Sequence, residues 1–307
     1  MSSAEKPNGG SRVILWCVPR TISSALTKCL SAVQDLEVHF EPYQYCFAAA
    51  AAHKASYGED IPMTYEGNEE ALAKAAQFVS TAAGSRVEPK RLAYGSVKEM
   101  LETATSRHVF VKDMGAGMLP CNALQYIPKG YKHTFLIRDP IRSISSYRKA
   151  MYTQFLQLGL LEGESADEQT YNVERDDKFF PPGYYMKELY DVWKYVKQHI
   201  DNNPIVIDAD DFLAKPAEVL SAYCAAVGIP YSESLLKWDA SMESLKTWKA
   251  AGDSLVFDLS NFYGRAMKSS EFLPPSKFPE QLTPDVIRCS EKVKVYFEEM
   301  YENRLRI

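Results

Sequence analysis

The chain has 307 residues, 46% hydrophobic and 24% charged, enough to bury one large core, and a single domain is expected. A formal net charge of −5 and a pI near 5.7 argue against a nucleic-acid-binding protein, whose affinity needs a basic surface, while leaving room for a local basic pocket. Met1 to Ser11 is polar and the apolar run Val13–Val18 is too short for a signal core or a membrane span, so a cytoplasmic protein is expected. The six cysteines are scattered, with no CxxC pair and no histidine at ligand spacing, which favours free thiols over a metal site or disulfides.

Residues 1–11 carry Pro7, Gly9 and Gly10 among polar neighbours and are expected to be disordered. Arg12–Val18 reads as a short buried strand, and Ser23–Val33 as a helix with Ala25, Leu26, Cys29, Leu30 and Val33 on its apolar face. A second strand is expected at Leu36–Phe40, ended by Glu41 and by Pro42, which cannot supply a ladder N–H. Helices are expected over Tyr45–Lys54, Glu69–Thr81 and Val97–Thr105. Further strands are expected at His108–Lys112, Thr134–Arg138 and Ile205–Asp208. Strands alternating with helices imply a parallel sheet. Met151–Pro182, with two glycines, a charged cluster and Phe179-Phe180-Pro181-Pro182, reads as a lid-like insertion. Beyond it Tyr185, Leu189, Trp193, Val196 and Ile200 form one helical stripe.

Chemistry is suggested first by Pro19-Arg20-Thr21-Ile22-Ser23-Ser24, between the first strand and its helix. Such a turn gathers backbone N–H groups at a helix N-terminus, where the dipole favours an anion. Arg20 adds a permanent charge with forked donors. Ser and Thr are also ordinary helix caps, so on its own the segment reads first as a capped helix start. GxxxxGK[ST] is absent, and Gly115-Ala116-Gly117 lacks the third glycine of a dinucleotide fingerprint. A second segment, Arg138-Asp139-Pro140 through Ser146-Tyr147, stands at a strand end and helix start, with Asp139 suited to cap and Pro140 to the first turn. Arg138 then lies at the sheet edge where open α/β folds bind ligands. The bland alternative makes Arg138 and Arg142 surface ion-pair partners.

These segments resemble the sulfotransferase superfamily, whose first motif has the form P-[KR]-[ST]-x-[ST]-[ST] and whose second is strand–Arg-x7-Ser-Tyr; Pro19–Ser24 and Arg138, Ser146 and Tyr147 fit both. Val206–Phe212 with Lys215-Pro216 and Ala225–Gly228 is similar to a third block, with Asp208 in place of its Tyr. The chain looks like a divergent branch with PRTxSS-type loops, some of whose members carry a branched-chain-aminotransferase-like label, although nothing in the sequence points to a Schiff-base lysine with a phosphate cup. Ile22 departs from most relatives, which have Gly there. The resemblance implies a P-loop NTPase-like three-layer sandwich, with a central parallel sheet of about five strands flanked by helices. The motifs that carry the resemblance span residues 12–228, and it implies that residues 12–307 form one sulfotransferase domain with a lid-like insertion around 151–182.

The resemblance further implies sulfuryl transfer from 3′-phosphoadenosine 5′-phosphosulfate (PAPS), leaving PAP, to a hydroxyl or amine of a small-molecule acceptor. No metal is required, no nucleic-acid or membrane partner is expected, and a homodimer is admissible. Arg20, Thr21, Ile22, Ser23 and Ser24 would surround the 5′-phosphosulfate, Arg138 and Ser146 would hold the 3′-phosphate, and Lys112 would touch the transferring group. Met114 stands where many cytosolic relatives have a catalytic His and cannot accept a proton. Glu41, after the second strand, matches the base of other relatives and is preferred to His39, which strand alternation puts on the same face. Arg265 and Lys268 are candidate 3′-phosphate ligands, and Trp248 a candidate adenine contact. Phe179, Phe180, Tyr184 and Tyr185 are candidates for the acceptor pocket. Two alternatives stay open: a PAP- or PAPS-binding protein without turnover, and a nucleotide-dependent phosphotransferase.

Overall fold

The computed structural model describes residues 9–83, 86–120, 122–241, 243–250, 263–275, 277–278 and 281–307. The N-terminal stretch expected to be disordered therefore lies, up to residue 8, outside the described residues, as do Cys121, Asn261 and Phe262.

Five strands, β1 (Arg12–Cys17), β2 (Leu36–Phe40), β3 (His108–Met114), β4 (Lys132–Ile137) and β5 (Ile205–Asp208), form one parallel sheet in the order β2-β3-β1-β4-β5. The apolar runs become the sheet's centre: Val13 to Trp16, Val109 to Val111 and Phe135 to Ile137 are all completely buried. A parallel strand covered on both faces has no polar side to display, which is why these read as runs rather than alternations. The fold class is the α/β arrangement expected, with helices α1 (Ser23–Leu30), α2 (Pro42–Tyr57), α3 (Glu69–Ala83), α4 (Tyr94–Glu102), α5 (Pro140–Gln157), α6 (Val173–Asp176), α7 (Met186–His199), α8 (Ala209–Ala214) and α9 (Pro216–Val227) around the sheet. The C-terminal helix Pro284–Glu302 packs on α5 and α7 and reaches β4 and β5.

From β1 the chain crosses to one side for β2 and β3, then returns past β1 for β4 and β5. That reversal leaves a crevice beyond the carboxyl ends of β1 and β4, the place where open sheets bind ligands. Both motif loops open into it.

Two expectations are corrected. Helix α2 begins at Pro42, three residues before the expected Tyr45, because Pro42 occupies the first helical turn. The orphan N–H groups of Tyr43 and Gln44 there are accepted by the Asp113 carboxylate, at 2.7 and 3.0 Å, from the end of β3. A cap supplied by a distant strand leaves no local signal. The stretch 151–182 starts as the last turns of α5, and Tyr171 and Val173 are buried in the main core. Glu174 is paired with Arg288 and Lys292 of the C-terminal helix. No helix among the described residues is long and apolar enough to cross a membrane.

Candidate active site

The loop between β1 and α1 turns without glycine: Arg20 and Ile22 both take left-handed backbone conformations, φ 67° and 60°. A β-branched residue there is costly, and such strain persists only where the surroundings hold it. Thr21 is fully buried and donates its hydroxyl to the Val18 carbonyl at 2.8 Å, closing the turn on itself. No side chain caps the start of α1. The hydroxyls that looked like caps are otherwise placed, since Thr21 braces the turn and Ser23 and Ser24 stand inside the helix beside a cleft of about 470 Å³. The N-terminal amides and positive dipole end of α1 therefore open toward that cleft.

Across β1 from this loop, Asp139 caps α5 by accepting from the N–H groups of Ile141 and Arg142, with Pro140 in the first turn, as the sequence implies. Helix α5 presents Arg142, Ser145, Ser146 and Lys149 to the cleft, a set at helical spacing. Arg138 donates to the Arg20 carbonyl at 3.0 Å and to Asp210 at 3.1 Å, and Asp210 also receives Arg142 at 3.4 Å. Arg20 in turn donates to the Ser146 hydroxyl at 3.0 Å. The two loops thus form one unit. Asp210 comes from α8, whose first turn is capped by Asp208, the residue standing in the third sequence block.

A third cluster lies deeper. Glu41 sits between β2 and α2 at φ 55°, its N–H bonded to the Lys112 carbonyl at 2.7 Å. One carboxylate oxygen accepts from the Lys112 ammonium and the other from the Tyr263 hydroxyl at 2.7 Å. Lys112 is buried, with its ammonium 4.8 Å from the Phe40 ring centre and 5.7 Å from that of Tyr263. Burial alone would lower its pKa, but the Cys17, Glu41 and Asp113 groups around it raise it, so it is a cation. Lys112, Met114 and Tyr263 line the cleft, whereas Glu41 is behind them. Asp113 is pushed up to about 7 by burial, against the pull of its three backbone N–H donors.

The cleft is strongly cationic. Arg20, Lys112, Arg138, Arg142, Lys149 and Lys277 line it, and Glu271 is the one carboxylate-bearing residue among the described residues that do so. Among the described residues no cluster of three or more His, Cys, Asp or Glu stands where it would hold a metal ion.

Of the residues singled out in the sequence, Arg20, Thr21, Ile22, Ser23, Ser24, Lys112, Arg138 and Ser146 all border this cleft. His39 does not. It is buried on the edge strand with its ring Nε2 2.7 Å from Glu37, and burial lowers its pKa. The alternation that would align it with Glu41 ends at Phe40, because Glu41 has left the extended conformation. Lys268 is exposed and outside the cleft lining; Arg265 belongs to the short helix Gly264–Met267, and its side chain lies outside the described residues. Trp248 stacks on Phe40 and donates to Ser31, a packing role. Phe180 stacks on Tyr147 within the core and, like Phe179, Tyr184 and Tyr185, does not line the cleft. Sequence reasoning missed Arg142 and Lys149 as cleft residues, although their three- and four-residue spacing from Ser145 and Ser146 carried the signal. It placed Tyr263 only in the loop with Arg265, with no contact to Glu41, and missed the Phe272–Pro274 wall, which no local pattern announces.

Residues 11–153 match the sequence model of the family described as "Sulfotransferase domain". Two curated Arabidopsis thaliana proteins are similar in sequence. Branched-chain-amino-acid aminotransferase-like protein 1 is 24% identical over 225 residues, covering 73% of this chain and 31% of that protein. Protein 2 of the same name is 23% identical over 292 residues, covering 91% of this chain and 42% of that protein. The chain thus spans well under half the length of either relative. Among solved structures, the sulfotransferase domain from the curacin biosynthetic pathway is 14% identical with a TM-score of 0.42, over 92% of this chain and 98% of that one. Mouse sulfotransferase SULT7A1 complexed with PAP is 13% identical with a TM-score of 0.46, over 95% and 89%. The stretch that matches the sulfotransferase-domain model holds both motif loops, Glu41 and Lys112.

Proposed function

We propose that this chain is a sulfotransferase that takes its sulfuryl group from PAPS and passes it to a hydroxyl or amine of a small acceptor, with residues 12–307 working as one cytoplasmic unit. The observation that carries the reading is the joining of two cationic loops, Arg20 to Ser146 and Arg138 to the Arg20 carbonyl, at one sheet edge. A donor with a phosphosulfate at one end and a 3′-phosphate at the other needs two such anion sites at a fixed separation.

In this reading the α1 amides with Ser23 and Ser24 hold the 5′-phosphosulfate, and Arg138, Arg142, Ser146 and Lys149 hold the 3′-phosphate. Phe272 and Leu273 offer an apolar wall for a purine. PAPS supplies an activated S–O bond whose cleavage leaves charge on the bridging oxygen. Arg20 and Lys112 would neutralise that charge as it grows, an electrostatic contribution that needs no reorganisation at the moment of transfer. Glu41 is the proton's final acceptor, and its two hydrogen bonds fix it in position.

The test is to incubate the protein with PAPS and a panel of phenols, alcohols and amines, with and without chelator. Acceptor-dependent PAP release that survives chelation is expected. Binding of PAP without any acceptor-dependent release would favour a silent binding protein, and release abolished by the chelator would favour metal-assisted phosphotransfer.

A further inference from the structure

Among the described residues, Glu41 has no face of its own on the cleft. It is buried, it is not part of the cleft wall, and its two oxygens are engaged by the two residues that are, Lys112 and Tyr263. Among the described residues, these two stand between an acceptor in the cleft and Glu41. Lys112 is a cation with no lone pair to offer. A tyrosine hydroxyl both donates and accepts. The Tyr263 ring is held edge-on to Phe40 at 5.5 Å and faces the Lys112 ammonium, so its hydroxyl is fixed rather than swinging.

We propose that Tyr263 is a catalytic residue of the transfer, relaying the acceptor's proton from the cleft to Glu41. This inference rests on the sulfuryl-transfer reading. As the acceptor oxygen bonds to sulfur, its O–H proton passes to the Tyr263 oxygen, and the Tyr263 proton passes to the Glu41 oxygen it already faces. The S–O bond to the leaving phosphate breaks, and its electron pair stays on the bridging oxygen beside Arg20. Tyrosine ends neutral, Glu41 ends protonated, and Glu41 returns its proton to solvent after product release. Burial, reinforced by the Glu41 carboxylate, pushes the phenol well above its ordinary range, so Tyr263 gives up a proton only as it receives one.

PAP release from PAPS is measured under single-turnover conditions with water, 1-butanol or 2-naphthol as acceptor. Tyr263→Phe keeps the ring against Phe40 and is expected to lose ~10²-fold or more in rate with PAP affinity and melting temperature unchanged. Glu41→Gln is expected to be equally slow, and the double variant no slower than either. A second readout needs no variant: two protons in flight bend the plot of wild-type rate against the deuterium fraction of the solvent, while one proton gives a straight line. A fully active Tyr263→Phe beside a dead Glu41→Gln, or a straight plot, overturns the relay. Failure of the wild type to bind PAP overturns the sulfuryl reading itself, and PAP binding distinguishes the two failures.

Discussion

Arg20 and Ser146, 126 residues apart, meet at 3.0 Å where the loops after β1 and β4 converge. That bond commits the guanidinium Nε to positioning the side chain. Arg20→Ala is expected to cost ~10²–10³-fold in kcat, as removal of a positioned oxyanion donor does, with a smaller change in PAP affinity. Ser146→Ala removes a neutral partner worth about 1 kcal/mol, so less than ~10-fold in PAP affinity is expected. Steady-state kinetics with calorimetric PAP titration separates the two effects.

Arg138 joins the two loops to Asp210 and is proposed to hold the 3′-phosphate. Arg138→Ala should weaken PAP by ~10–100-fold, the range of a charge-assisted hydrogen bond, while leaving 5′-AMP, which lacks that phosphate, nearly unaffected. Equal losses for both nucleotides would reassign Arg138 to the 5′ end.

Gly115 follows β3 directly, and a Cβ there would stand 2.5 Å from the Leu189 Cα and 2.7 Å from its nitrogen. Both are helix backbone, which cannot swing aside. Gly115→Ala is therefore expected to destabilise by ~1–3 kcal/mol, read as a lowered denaturant midpoint at unchanged slope.

His133 is buried in β4, accepts the Trp16 indole N–H at 3.0 Å, and has its pKa pushed down to about 4 by burial. The folded chain resists a proton that the unfolded chain takes up near 6.5, the ordinary histidine value. The sign follows: this contribution is complete above the unfolded value, falls as pH drops through the window between the two, and is gone below about 4. The window is worth about 3 kcal/mol. His133→Gln, which keeps an acceptor for Trp16, should flatten the acid limb of stability against pH between those limits, measured by urea unfolding.

The sheet was legible because buried parallel strands need continuous apolar runs, and Val13–Val18 and His108–Lys112 supplied them. The cleft-lining loops were legible because their residues are contiguous: Arg20 to Ser24, and Arg138 to Ser146, each run from a strand end into the helix that follows. What escaped was non-local. The Asp113 cap on α2 acts across 70 residues, and Tyr263 reaches Glu41 across 222. His39 was misplaced because alternation holds only inside a strand, and the left-handed turn at Glu41 ended it one residue earlier than a pattern shows.

The measurement closest to the central claim is a calorimetric comparison of PAP with 5′-AMP on the unmodified protein in the presence of chelator. Two anion sites joined through Arg20, Ser146 and Arg138 predict that PAP binds at least ~10-fold tighter, because the second phosphate adds charge-assisted bonds of its own. Equal affinities, or no heat with either nucleotide, would contradict the account.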